Sequence, residues 1–417
     1  MRHVWSVVSD FSLLLLAGAV TALIWCNLSP DSYTKLIDGV FWENSFIGHK
    51  HAHHGEVVYE LSIHYLVNDI LMAFFFAIAG KEVWEAIWLK DGSLRGKKAV
   101  TPLFAAGGGM IAPVIIYLGL ASLFGSETFS AVANGWAVPT ATDIAFSYLV
   151  GRVIFGRGHP AVKFLLLLAI ADDAAGLLIL AIFYPTGELA PAWLLMSVAA
   201  VVTVYTLFNW LPRRLDRGRQ ERPFSTFMRK RLNFWPYALA GIVSYFAFQE
   251  SGVHPALSLV PVIVAIPHSD RAFGVFTKPE SETDLLNHIE HLLAVPVEFI
   301  LFFFGLANAG VLLSTIGVPT FLVLTGLLVG KPIGILLFGW LAAYPLRFGM
   351  PDGMSVSDIM IVGFIAAIGF TVALFVATVA FETGPIQDAA KMGALLSLFS
   401  AAIAFLVSRL FPVKRIA

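Results

Sequence analysis

Long apolar runs of about twenty residues recur along the whole chain, with short polar or turn-forming segments between them. A helix needs about 20 apolar residues to cross a bilayer, and lipid offers no partner to unpaired backbone groups. The pattern therefore predicts an all-α membrane protein, a single polytopic domain over residues 1–417. We predict twelve transmembrane helices, called spans 1 to 12, near residues 11–26, 61–80, 99–123, 131–151, 161–184, 191–211, 234–249, 255–268, 291–311, 319–343, 357–380 and 388–411.

Composition supports this interpretation and excludes several classes of function. Hydrophobic residues make up 58% of the chain and charged residues 13%, against about 25% charged residues in a typical soluble domain. No basic arm interleaved with aromatic residues indicates a nucleic-acid partner. The chain also lacks the Gly-x-x-x-x-Gly-Lys-Ser/Thr phosphate loop, so we predict neither an ATP-driven pump nor a bound cofactor.

Lysine and arginine positions predict the orientation, because these residues are retained in short cytoplasmic loops. The densest basic segment is the loop at 212–233, between spans 6 and 7, which we place in the cytoplasm. Loops after spans 2, 4, 8 and 10 also carry lysine or arginine, whereas those after spans 3, 5, 7 and 9 carry none. Twelve spans then place both termini in the cytoplasm. We predict that the protein lies in a bacterial inner membrane.

Two spans carry helix-breaking residues near their centres: span 4 at residues 134–143 and span 11 at residues 363–371. Interrupted apolar segments in corresponding halves of a chain are the best sequence indication of a transport site at the midplane. Spans 3–5 and 10–12 are then candidate inverted repeats, with spans 4 and 11 discontinuous. The alternative is that glycine and proline simply permit close helix packing, and for span 11 both interpretations stay open.

Ionisable residues inside the spans are the strongest functional signal. A carboxylate at the centre of a membrane helix costs about 2.5 to 3.5 kcal/mol on insertion scales, so it indicates function. The chain has Asp69 in span 2, Asp143 in span 4, the pair Asp172 and Asp173 in span 5, and Lys331 in span 10. The structural alternative is a set of buried ion pairs that fix packing, but one lysine cannot neutralise so many acids.

Neighbouring residues on a helix point about 100° apart, so Asp172 and Asp173 should have different partners. One can pair with Lys331 while the other meets a cation. Desolvation and mutual repulsion favour the protonated acids, so protons compete with the cation. Carboxylates aided by oxygens of Thr142 or Thr140 suit a hard ion. We therefore predict that Asp172 and Asp173 bind a transported Na⁺ or Li⁺ in exchange for H⁺.

Several short motifs together resemble the NhaA type of sodium/proton antiporter over nearly the whole chain. They are Asn68-Asp69 with Met72-Ala73-Phe74-Phe75, Ala141-Thr142-Asp143-Ile144-Ala145-Phe146, Asp172-Asp173, Ser251-Gly252-Val253-His254, Ala307-Asn308-Ala309-Gly310, Gly330-Lys331-Pro332 and Gly369-Phe370-Thr371. The resemblance implies that Lys331 is the partner of Asp172 and that Asp143 and Thr142 lie at a helix crossing. It also implies electrogenic exchange, regulation by pH, and a chain that is often dimeric.

One cluster departs from the family pattern. The family usually has Gly-Leu-Glu, followed shortly by Lys-Arg-Glu, where this chain has Gly80-Lys81-Glu82-Val83-Trp84-Glu85-Ala86. Those positions belong to the cytoplasmic pH-sensing cluster. By resemblance Glu82 matches one arm of it, and Glu290 with His291 matches the other.

Other functions are weaker candidates. An intramembrane aspartyl protease needs a Gly-x-Gly-Asp signature, which the chain lacks, so we predict no enzyme. A cation channel or a sodium-coupled symporter of an organic anion remains an alternative to an antiporter that exports sodium and maintains internal pH. The histidine-rich stretch from His49 to His54 could bind a transition metal or sense external pH, but an ordinary solvated loop is the favoured interpretation.

Overall fold

The computed structural model describes residues 13–53, 56–88, 94, 97–156, 158–217, 223–267, 285–411 and 413. The described chain is mostly helical. Its elements in order are α1 (Leu13–Leu28), α2 (Pro30–Ile37), β1 (Val40–Asn44), β2 (His49–His53), β3 (Glu56–Ser62), α3 (Ile63–Trp88), α4 (Lys97–Leu123), α5 (Ser126–Val132), α6 (Ile144–Phe155), α7 (Pro160–Phe183), α8 (Pro191–Leu215), α9 (Pro223–Phe227), α10 (Trp235–Ser251), α11 (Leu285–Asn308), α12 (Val318–Ala343), α13 (Val356–Ala366), α14 (Phe370–Ala380) and α15 (Pro385–Leu410).

Six described helices are long and apolar enough to cross a membrane, namely α3, α4, α7, α8, α12 and α15. Helices α13 and α14 would make a seventh, broken span, because they meet at an angle of 50°. Three further apolar helices are shorter, Leu13–Leu28, Ile144–Phe155 and Val295–Asn308. The predicted span at 255–268 appears as two short turns, Pro255–Leu257 and Val260–Ile263. Prolines at 255 and 261 lack the N–H groups that a continuous helix would need there.

A small antiparallel sheet interrupts the helical pattern before α3, in a segment where we had predicted only a loop. Its strand order is β1-β3-β2, and the histidine-rich stretch forms much of β2. Tyr59 on β3 donates a hydrogen bond of 2.7 Å to Glu250 at the end of α10, and Lys50 on β2 lies 3.7 Å from the same carboxylate. Burial, together with the neighbouring Glu250, raises the pKa of Tyr59 to about 12, so its hydroxyl stays protonated and can donate. The face of the molecule that carries this sheet is called the sheet side below.

Two interruptions of the helical backbone lie against each other in the interior. After α5 the chain runs through a 3-10 stretch, Ala133–Thr140, and becomes extended before α6 begins at Ile144. The second interruption separates α13 from α14, and the Asp143 amide donates to the Ile368 carbonyl across 2.7 Å. Gly369 keeps this contact close, because a Cβ there would lie 3.3 Å from the Ala141 carbonyl oxygen and 3.1 Å from Ala373.

Close packing of α4 against α12 fixes the backbone that carries the buried Lys331. A Cβ added to Gly334 would lie only 2.0 Å from the Gly108 carbonyl oxygen, so only glycine permits this approach of the two backbones. Lys331 lies one turn before Gly334 on α12 and is fully buried. The position of the lysine ammonium is therefore set by backbone packing.

Candidate ion-binding site

Asp143 lies where the two interrupted segments cross and accepts hydrogen bonds from the starts of two helices. Its Oδ1 accepts from the Phe146 amide at 3.1 Å, which makes Asp143 the N-cap of α6. Its Oδ2 accepts from both the amide and the hydroxyl of Thr371, in the first turn of α14. Helix N-termini carry unpaired N–H groups and partial positive charge, and a carboxylate satisfies both. These donors partly offset the cost of burying a side chain that is only 4% exposed.

Lys331 supplies the opposite charge to the same crossing. Its ammonium donates to the Thr140 carbonyl at the end of the 3-10 stretch and lies 3.0 Å from Asp172 Oδ2. The unpaired carbonyls at a helix C-terminus carry partial negative charge, so a cation is stabilising there. Asp143 and Lys331 thus offset opposite ends of the interrupted helices.

Asp172 on α7 belongs to the same group of charged side chains as Asp143 and Lys331. The Thr142 hydroxyl lies 2.7 Å from Asp172 Oδ2 and 3.1 Å from the Ala366 carbonyl, so its one proton is shared between two acceptors. All these contacts involve Oδ2. Oδ1 is buried, and no described residue donates a hydrogen bond to it.

Asp173 points in a different direction, into a cavity of about 160 Å³ that we call the central cavity. The residues that line this cavity include Asp173, Asp143, Thr142, Thr371 and Glu82. No hydrogen bond or ion pair joins Asp173 to another described residue. The predicted divergence of the two neighbouring acids is therefore seen in the structure: one is held by Lys331, and the other faces open space.

Hydroxyl groups for which the sequence predicted no role complete the crossing. Thr371 holds Asp143, and the Ser147 hydroxyl donates to the Ile365 carbonyl at 3.0 Å, near the end of α13. Ser397 on α15 accepts from the Gly369 amide at 3.2 Å. The signal for Thr371 was present in the sequence, because a threonine two residues after a glycine break lies in the first turn of the helix that follows. Ser147 and Ser397 look like ordinary small residues until their partners are known.

Of the other predicted residues, Glu82 and Thr140 belong to the same region and Asp69 does not. Glu82 lines the central cavity. Asp69 lines a different cavity, on the sheet side. Thr140 contributes its carbonyl to Lys331, while its hydroxyl bonds to Ala137. The side chains of Glu290 and His291 fall outside the described residues, although their backbone belongs to α11.

Beside Glu82, the altered cluster forms a pair of its own. Lys81 and Glu85 lie one helical turn apart on α3, with the ammonium 3.0 Å from a Glu85 oxygen. Both side chains are more than 90% buried. This buried pair lies within the segment that departs from the expected family pattern.

Thr371→Val tests whether the Thr371 hydroxyl holds Asp143. Valine keeps the shape and the amide hydrogen bond but removes one donor from a buried carboxylate, which should lower the free energy of unfolding by about 1 to 3 kcal/mol. The melting temperature of purified protein measures the effect. Thr371→Ser keeps the hydroxyl and serves as the control. A Thr371→Val protein that melts like the wild type would contradict the assignment.

Chemically, the central cavity offers carboxylate, hydroxyl and carbonyl oxygens in a poorly hydrated setting. Such oxygens suit hard cations. They suit protons equally, because a carboxylate with few donors gains by taking one. Apolar helices arranged around buried carboxylates are typical of multi-pass ion transporters.

Comparison with known proteins identifies the family. The family model described as "Na+/H+ antiporter 1" matches residues 4–408, so the chain belongs to that family. The chain is 63% identical over 417 residues to the "Na(+)/H(+) antiporter NhaA" of Jannaschia sp. (strain CCS1), covering 100% of this chain and 99% of the relative. It is 42% identical over 421 residues to the protein of the same name from Geobacter metallireducens, covering 100% of both chains. The corresponding protein of Desulfitobacterium hafniense (strain Y51) is 41% identical over 413 residues, which is 98% of this chain and 96% of that one.

Proposed function

We propose that this protein is a secondary antiporter that exchanges Na⁺ for H⁺ across a bacterial inner membrane. One observation carries the proposal: of two adjacent acids, Asp172 is held by Lys331 while Asp173 faces a cavity without a partner among the described residues. A carboxylate in that position gains equally from a proton or a dehydrated alkali cation. Membership of the sodium/proton antiporter family supports the same conclusion.

The exchange follows from competition for one site. When the acids are protonated they release the cation, and when they are deprotonated they capture it. If only loaded carriers change the side to which the cavity opens, an inward proton gradient drives sodium outward without ATP. The cell would use this exchange to export sodium and to maintain its internal pH.

Each site residue has a separate role in this scheme. Asp173 is the ligand on the cavity, and Asp172 with Thr142 completes the binding of Na⁺ or Li⁺ when Lys331 moves away. Asp143 and Lys331 offset the partial charges of the interrupted helices. Glu82 lies on the route between the cavity and the cytoplasm and, with Glu290 and His291, takes part in pH sensing.

The proposal includes the predicted topology of twelve spans. The seven apolar spans, the three shorter apolar helices, α10 and the turns at 255–263 supply twelve segments. The interrupted segments α5 to α6 and α13 to α14 are then the discontinuous helices of two inverted repeats, spans 3–5 and 10–12. Both termini and the basic loop at 212–233 face the cytoplasm, and the sheet side faces outward. The exchange is electrogenic, with more protons than sodium ions per cycle, and the working unit is a homodimer in the bilayer.

The symporter alternative is disfavoured by the geometry around Asp143. Symporters of organic anions use the N-termini of broken helices to hold a substrate carboxylate. Here the N-termini of α6 and α14 are both occupied by the Asp143 carboxylate. A substrate anion would have to displace a buried acid from its hydrogen bonds.

Reconstitution into proteoliposomes tests the exchange. Addition of Na⁺ or Li⁺ should move protons in the opposite direction. Competition also requires that, at pH values where the protonated form of the site predominates, the apparent KM for Na⁺ rises about tenfold for each further unit of decrease in pH. Addition of K⁺ measures ion preference. A channel would instead give sodium flux independent of any proton movement. A KM for Na⁺ that stays constant over the whole pH range would refute competition for one site.

A further inference from the structure

A larger cavity lies on the sheet side of the molecule, and the central site does not account for it. This sheet-side cavity has a volume of about 820 Å³ and extends from the sheet to α3, α10 and α14. Among the described residues that line it, the charged side chains are Lys50, Asp69, Glu188, Glu250 and Glu382. Four carboxylates therefore face one lysine, and that lysine already lies 3.7 Å from Glu250. A cavity lined by one sign of charge concentrates ions of the opposite sign.

Asp69 lines this cavity, and no described residue forms a hydrogen bond with its carboxylate. Its side chain is 9% exposed. The nearest imidazole nitrogen, His254 Nδ1, is 3.8 Å from Asp69 Oδ1. That nitrogen accepts a hydrogen bond of 3.3 Å from the Ala256 amide, so it carries no proton of its own. His254 therefore gives Asp69 neither a hydrogen bond nor a positive charge from this nitrogen.

The second histidine beside Asp69 is neutral for a similar reason. The Asn68 amide nitrogen has two hydrogens. One points to Asn308 Oδ1 at 3.1 Å, and the other to His64 Nε2 at 3.0 Å. His64 Nε2 therefore acts as an acceptor, which a protonated imidazolium cannot do. Neither His254 nor His64 therefore supplies a positive charge to Asp69.

An aromatic layer separates this acid from the central site. The ring of Phe375 lies 5.0 Å from that of Phe76 and 6.4 Å from that of Phe304, and all three side chains are at most 3% exposed. On α14, Phe375 lies between Thr371, which lines the central cavity, and Thr378, which lines the sheet-side cavity. The two cavities are therefore separate sites in this conformation.

We propose that Asp69 forms a second cation site, which binds Na⁺ within the sheet-side cavity. A buried carboxylate without a hydrogen-bond donor gains by taking up a proton or a cation, and the surrounding carboxylates draw cations in. A monovalent ion fits better than Ca²⁺, which takes six to eight oxygen ligands where this site offers one buried carboxylate. The inference rests on the proposed function only because it takes Na⁺ as the transported ion. Asp69 would hold this ion on the side of the membrane to which the central site releases it.

Binding of radioactive sodium to purified full-length protein separates the two sites. In an Asp173→Asn background the central site is disabled, and saturable Na⁺ binding should persist. Adding Asp69→Asn should weaken that remaining binding by about tenfold or more, the loss of one charged ligand. Adding Glu382→Gln instead removes one exposed carboxylate from the same cavity. This substitution should change the remaining Na⁺ affinity by no more than about twofold.

Wild-type protein gives a second readout that does not depend on the folding of any variant. A carbodiimide should modify the Asp69 carboxyl, and Na⁺ should protect it where choline does not, as measured by mass spectrometry of the peptide. Absence of saturable binding in Asp173→Asn, equal binding with and without Asp69→Asn, or no protection by Na⁺ would each overturn the second site. Exchange by the wild-type protein, measured in parallel, tests the proposed function separately. If exchange fails the antiport proposal falls, and if exchange persists while these results are negative only the second site falls.

Discussion

Asp173→Asn should abolish sodium/proton exchange, by about 100-fold or more, in a protein that still folds and inserts. Asparagine has nearly the shape of aspartate but can neither take up a proton nor neutralise a cation. Because Asp173 faces the central cavity without a hydrogen-bond partner among the described residues, little packing is lost. Sodium-driven proton movement in proteoliposomes measures the loss of exchange, and the melting temperature in detergent shows whether the protein still folds. Removal of an acid without a partner at the cavity should leave the melting temperature unchanged or raise it.

Asp358→Asn is the matched control for that experiment. Asp358 is buried, at 5% exposure, and it accepts from the Ser355 amide at 2.7 Å and stabilises the start of α13. Its replacement should lower the melting temperature slightly, through a weakened cap, and leave exchange intact. Full exchange by Asp173→Asn would show that the cavity acid is dispensable and would refute the proposed mechanism.

Lys331→Ala should produce the largest loss of stability of any single change at the site. The variant leaves the Asp172 carboxylate buried without its cation and the Thr140 carbonyl without its donor. Breaking a buried ion pair in this way typically costs about 3 to 5 kcal/mol, because the remaining charge stays desolvated. Thermal or denaturant unfolding of the purified protein measures the loss, and exchange activity should fall with it.

The double variant Lys331→Ala with Asp172→Asn separates the ion pair from simple packing. If the cost of Lys331→Ala comes from the orphaned carboxylate, neutralising that carboxylate should recover most of the lost melting temperature. If the cost comes from the lost lysine side chain alone, the two substitutions should add. An unchanged melting temperature in Lys331→Ala would contradict the pairing itself.

Much of the helical architecture could be predicted from sequence because hydrophobicity is a local property. The predicted spans at 99–123, 161–184 and 319–343 agree with helices α4, α7 and α12 to within two residues. Prediction was poorest between 40 and 62, where a histidine-rich segment looked like a solvated loop and forms a sheet. Strand pairing depends on partners elsewhere in the chain, and here the sheet is held by contacts of Tyr59 and Lys50 with Glu250, far away in sequence.

The sequence by itself determined that this is a helical membrane protein with acids at the centres of its spans, and that two adjacent acids on one helix must face different ways. These conclusions follow from the composition and from the 100° step of a helix, which need no knowledge of neighbours. Only the tertiary structure decided that Asp172 is the acid within reach of Lys331, that Asp143 caps two helices at once, and that Asp69 belongs to a separate cavity. Each of these depends on contacts between residues far apart in the chain, because hydrogen bonds and ion pairs act over a few ångströms in space whatever the separation in sequence.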